Sequence, residues 1–186
     1  MSRFSLTTFK AYTMKTNYQV KVLNLIAFSA LLFLLTACPY SSTVPIDTPS
    51  IGVSDKLLGK WVEESEFNDN PDYYIFLKKD NNRYTLEEYS YREDEETGES
   101  GYEKNNEYIG HITKLGDKEF FNLFKEDESM YYFYWLEFPS TNTFIMHEVT
   151  DNITEEFDKS ADLKAFFNKH KDLSFFYNRD AKRYNR

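Results

Sequence analysis

From Lys56 onward the chain breaks into short stretches rich in Tyr, Phe, Ile and Thr, separated by clusters of Asn, Asp, Gly and Pro. Short runs of β-formers punctuated at close spacing by turn-formers predict an antiparallel meander. The pattern places strands at residues 59–67, 73–79, 83–91, 107–115, 119–125, 130–138 and 143–150. Their separators, such as Asn68-Asp69-Asn70-Pro71, Asp80-Asn81-Asn82 and Gly116-Asp117, carry turn chemistry, so consecutive strands are joined as hairpins. An eighth strand is expected at Phe175-Phe176-Tyr177, running on towards Tyr184. Residues 93–106 are acidic and broken by Gly98 and Gly101, which reads as a solvated, mobile loop. Its carboxylates lack the alternating ligand spacing of an EF-hand.

Residues 160–171 show a different period. Leu163, Phe166, Phe167 and His170 fall at i, i+3, i+4 and i+7, with Ser160 as N-cap, Asp162 in the first turn and Lys169 and Lys171 in the last. This is an amphipathic helix whose stripe must pack against something. The strand at residues 130–138 is apolar on both parities, so both its faces are covered. Tyr132 and Tyr134 share parity with Met130, Leu136 and Phe138 and are expected to face inward, while Tyr131, Phe133 and Trp135 meet the helix. Eight strands with one late helix predict a closed all-β barrel. Such a barrel either fills with its own side chains or holds one small ligand. Tyr132 and Tyr134 are the candidate ligand-facing pair.

Upstream, residues 22–37 form an almost wholly apolar run behind Lys15 and Lys21. The run is shorter than the roughly 20 residues that a spanning helix needs and reads as the core of a signal peptide. Leu35-Thr36-Ala37-Cys38 closes it and resembles the bacterial lipobox. That resemblance implies that residues 1–37 are a lipoprotein signal peptide and that Cys38 is lipidated as the first mature residue, whether translation starts at Met1 or Met14. Cys38 is the sole cysteine, so no internal disulfide can form. Residues 38–53 contain Pro39, Pro45 and Pro49 without any period and read as a flexible tether. Pro39 rather than Asp follows the cysteine, which favours the outer membrane as destination.

Removing residues 1–37 takes away four basic and no acidic residues, leaving 18 basic against 31 acidic groups and a charge of −13. Such a surface repels phosphate backbones, so no nucleic-acid partner is expected. Membrane attachment falls to the lipid. The remaining 149 residues suit one domain, residues 54–186, and 28 of the 149 are Phe, Tyr or Trp, which makes aromatic burial the source of stability.

Gly59-Lys60-Trp61, opening the first strand, resembles the Gly-x-Trp signature of lipocalins. The segments Tyr108-Ile109-Gly110-His111-Ile112 and Phe120-Phe121-Asn122-Leu123, and the helix ahead of Phe175-Phe176, are similar to those of lipocalin-like bacterial lipoproteins. The resemblance implies an antiparallel up-and-down lipocalin-like barrel with Trp61 at its closed base and one of Arg179, Arg183 or Arg186 over the indole. It also implies a small apolar ligand between the strands. The alternative is a filled barrel serving as an envelope scaffold or as an accessory subunit to a protein partner.

Catalytic and metal chemistry find no support in the pattern. His111, His147 and His170 stand apart, no Gly-x-Ser-x-Gly elbow exists, and no Gly-x-Gly loop is present. Glu63-Glu64 and Glu87-Glu88 point to opposite sheet faces. No cofactor and no enzymatic activity are expected. The lipoprotein reading predicts that fatty-acid label is incorporated by the wild type and lost in Cys38→Ser; equal labelling of both would contradict it.

Overall fold

The computed structural model describes residues 39–94, 97–150 and 152–186. Cys38 and residues 1–37, expected as a signal peptide, lie outside the described residues, as do Glu95, Glu96 and Asp151. In chain order the strands are β1 (Ser41–Ser42), β2 (Gly59–Glu63), β3 (Tyr73–Lys78), β4 (Tyr84–Glu93), β5 (Ser100–Leu115), β6 (Lys118–Lys125), β7 (Met130–Ser140) and β8 (Thr143–Glu148). Helix α1 (Ser160–His170), a 3₁₀ turn (Ser174–Phe176) and β9 (Lys182–Asn185) follow. Strands β2 to β8 pair with their sequence neighbours, and β9 pairs with both β8 and β2. Eight antiparallel strands therefore close into an up-and-down barrel with one helix, the architecture expected from the strand and helix periods.

The pleat sorts the apolar side chains into two layers. Inside the barrel lie Trp61, Phe76, Tyr84, Leu86, Ile112, Phe121, Leu123, Leu136, Phe144 and Tyr184. Outside β5, β6 and β7, the opposite parity supplies Leu115, Phe120 and Phe133, which pack against Leu163 and Phe167 of α1 and against Phe176. Phe167 sits edge-on to Phe120 and Phe133, with ring centroids 5.5 and 5.1 Å apart. α1 begins at Ser160 with Lys159 as its N-cap and no side-chain capping bond, so Ser160 is the first helical residue rather than the cap.

Three expectations are corrected. The closing strand is Lys182–Asn185, not Phe175-Phe176-Tyr177. Phe176 is drawn instead into the outer layer, 5.0 Å from Phe167, and Ser174–Phe176 turns to put it there. Residues 93–106 are largely strand: β4 and β5 run on in register as far as Glu93 opposite Ser100, past a bulge at Glu88/Tyr89. Their ladder is held by Tyr91 stacking edge-on against Tyr102 and by Lys104 bonding Glu87 and Glu107. Residues 39–53, expected as a flexible tether, lie against the barrel wall.

That third correction follows from what the wall requires. The outer face of β5 to β7 is too apolar to leave wet, and Tyr40 and Ile46 are buried on it. β1 pairs with β7 for two residues before the prolines end regular pairing. Asn122, fully buried on β6, accepts the Ile46 N–H at 2.8 Å and donates to Thr113 Oγ1 at 3.0 Å. His111 Nε2 donates to the Asp47 carbonyl at 2.7 Å. Burial lowers the His111 pKa from its ordinary value, which keeps this ring neutral. Lys164 of α1 pairs with the Asp47 carboxylate, tying helix and segment together.

Gly110 is the tightest point of the interior. A Cβ there would lie 2.2 Å from Phe121 Cζ, and that ring is itself fully buried. Gly110→Ala is expected to destabilise by about 1–3 kcal/mol, with partial recovery on adding Phe121→Leu. Urea unfolding checks this; an unchanged midpoint in Gly110→Ala would contradict it.

Candidate functional site

The two ends of the barrel interior differ in chemistry. At one end Gly59 enters β2 with φ +107°, a left-handed value that glycine tolerates. The turn lets Trp61 swing inward, where it is fully buried and edge-on to Phe144 at 4.8 Å. Its Nε1 donates to the Leu57 carbonyl at 2.8 Å. The Arg186 guanidinium lies 4.3 Å from the indole centroid, so the expected cation–π contact is formed by Arg186. Arg186 also donates to the Lys56 and Leu58 carbonyls at 2.9 and 2.5 Å. Every large group at this end is occupied with packing, and Gly59 and Trp61 are structural.

At the other end the same inward parity brings polar groups together. Tyr74 of β3, Glu88 of β4, Tyr108 of β5, Tyr134 of β7, Glu148 of β8 and Tyr184 of β9 surround a cavity of about 230 Å³. Leu86, Leu123 and Met146 supply its apolar part, and Lys182 joins the wall. Glu88 Oε2 accepts from Asn106 Nδ2 at 2.6 Å and Tyr108 Oη at 3.0 Å, and its Oε1 accepts from Tyr74 Oη at 3.3 Å. Glu148 accepts from Asn178 Nδ2 at 2.6 Å and Tyr134 Oη at 3.3 Å. Both carboxylates are thus held by neutral donors.

The phenols stay protonated. Burial pushes the pKa of Tyr74, Tyr108, Tyr134 and Tyr184 above the ordinary value, and nearby carboxylates push the same way, Glu88 on Tyr74 and Tyr108, Glu148 on Tyr134 and Glu63 on Tyr184. Tyr184 is fully buried, yet its hydroxyl has no hydrogen-bond partner. A buried hydroxyl without a partner is a costly feature.

Of the two tyrosines expected to face a ligand, Tyr134 lines the cavity. Tyr132 also packs inward, but its hydroxyl bonds Glu128 and it does not form part of the lining. The lining is polar in part, where the lipocalin resemblance implied a small apolar ligand. Glu88 and Glu148 were missed as site residues, although their parity was readable: Glu88 follows Tyr84 and Leu86, and Glu148 follows Phe144 and Met146, at alternate positions. Glu87, on the opposite parity, pairs outward with Lys104 at 2.8 Å.

The histidines remain apart. His147 stacks on Trp135 at 4.2 Å and bonds Glu137, while His170 lies 4.5 Å from Phe166. Among the described residues, no three His, Cys, Asp or Glu side chains converge as a metal-binding group. No family model, curated protein or solved structure matches the chain.

Because the Tyr184 hydroxyl loses no protein partner when removed, Tyr184→Phe is expected to leave unfolding free energy unchanged or to raise it by up to about 1 kcal/mol. Denaturant unfolding is the measurement. A loss greater than that would place the hydroxyl in a bonded network.

Proposed function

We propose that this chain is a lipid-anchored, non-enzymatic protein of the bacterial cell envelope, lipocalin-like in kind, that takes up a small ligand at the carboxylate end of its barrel. One observation carries the reading: an interior otherwise filled by interlocking aromatics leaves about 230 Å³ open where two carboxylates and four tyrosines meet. Packing alone would favour closing that space with another apolar side chain. The ligand is small, since the cavity falls below the roughly 300 Å³ at the low end of ordinary ligand pockets. It is also polar in part, which departs from the apolar ligand implied by the lipocalin resemblance.

Anchoring rests on Cys38 and its lipobox, and the outer membrane is the proposed destination on the strength of Pro39. The absence of a nucleophile elbow and of a phosphate loop in the sequence supports binding rather than catalysis. A second reading, a scaffold that engages an envelope protein through its surface, draws on the extended β4–β5 hairpin. Tyr91 and Tyr102 stand exposed there, edge to face.

Native mass spectrometry of the detergent-purified protein separates the two readings. The wild type is expected to retain a small-molecule mass that is neither lipid nor detergent and that is lost in Leu123→Trp, whose ring would occupy the cavity; Met146→Phe serves if Leu123→Trp does not fold. A wild type without such a mass, or a filled variant that keeps it, would overturn the ligand reading in favour of the scaffold.

A further inference from the structure

We infer that the ligand of this cavity is a small organic cation, a primary amine on a compact apolar or aromatic body. The inference rests on the reading of the cavity as a ligand site and adds the chemical class of the occupant.

The first ground is charge. Glu88 and Glu148 both line the cavity, and among the described residues neither forms an ion pair. Lys182, the one basic residue of the lining, is engaged by Glu63 at 3.1 Å. Two carboxylates held only by phenols and amides, in surroundings less polarisable than water, repel an anion and attract a cation more strongly than surface groups do.

The second ground is independent of charge. Tyr74, Tyr108 and Tyr134 line the cavity, and each phenol oxygen, while donating to a carboxylate, can still accept. An ammonium group has three N–H donors and no acceptor. The cavity offers an acceptor for each: the Glu88 carboxylate, the Glu148 carboxylate and a phenol oxygen of the lining tyrosines. The rings of Tyr74, Tyr108 and Tyr134 add π faces of the kind that cations favour.

A hard divalent metal suits the site poorly. Such ions take six or more oxygen ligands, and phenols that stay protonated are weak ones. Size limits the body of the amine as well. The cavity corresponds to the liquid volume of about eight water molecules, which sets the occupant at roughly ten non-hydrogen atoms. Leu86, Leu123 and Met146 offer the surface on which an apolar body would rest.

Isothermal titration calorimetry on the detergent-purified protein tests this with three probes of matched shape: 2-phenylethylamine, neutral 2-phenylethanol and anionic phenylacetate. The amine is expected to bind at least about tenfold tighter than the alcohol, with no measurable heat from phenylacetate. Glu88→Gln and Glu148→Gln keep side-chain shape and are each expected to weaken the amine by about tenfold or more while leaving the alcohol within about twofold. Alcohol or phenylacetate binding as tightly as the amine, or an amine affinity untouched by both Gln variants, would overturn the cation assignment while leaving the cavity as a ligand site. No heat from any probe would overturn it too, and the native mass spectrum then decides whether the ligand site falls with it.

Discussion

Everything in this fold depends on the closing of the barrel by its last strand. Lys182–Asn185 pairs with β2 on one side and β8 on the other, and without it both would be open edges. The strand does more than complete a ladder. Its Tyr184 stacks on Phe144 at 4.9 Å and belongs to the cavity lining, and Arg186, just beyond it, covers Trp61. One short segment thus locks the packed end of the interior and furnishes part of the polar end.

Closure also explains why the wall between β5 and β7 is apolar on both faces. The inner row fills the barrel, and the outer row of Phe120, Phe133 and Leu115 needs a cover that the barrel cannot supply. α1 and residues 39–53 are that cover. Asn122 makes the arrangement specific, because its buried amide bonds both the wall and the Ile46 backbone, and a shifted segment would leave it unsatisfied. The carboxylate end is therefore built on strands whose far faces are clamped, which holds Tyr134 and Tyr108 in place.

Period-2 and period-3.6 patterning carried the barrel, its helix and the inward parity of Tyr132, Tyr134, Leu136 and Phe138, because burial imposes those periods directly. Where burial was absent, so was the signal. The arms of the β4–β5 hairpin are solvated on both faces, and their acidic composition resembles a loop even though the backbone is paired. Residues 39–53 cover an irregular wall with an irregular backbone and show no period at all. Phe175-Phe176-Tyr177 has the stronger local bias towards a strand, but the outer layer claims Phe176, and Lys182–Asn185, with a single buried side chain, closes the barrel instead. The site itself is gathered from β3, β4, β5, β7, β8 and β9 by pairing register, a non-local quantity. Only the inward parity of a charged residue hinted at it.

The account makes the inner tyrosines respond together. The protein labelled with 3-fluorotyrosine gives a ¹⁹F resonance for each tyrosine, assignable by single Tyr→Phe variants. On titration with 2-phenylethylamine, the resonances of Tyr74, Tyr108, Tyr134 and Tyr184 should shift along one saturation curve, while Tyr73, Tyr89, Tyr91 and Tyr102 on the outer face and hairpin stay still. Shifts confined to the hairpin tyrosines, or a silent inner set, would contradict the central claim that the barrel's carboxylate end is where this protein meets its ligand.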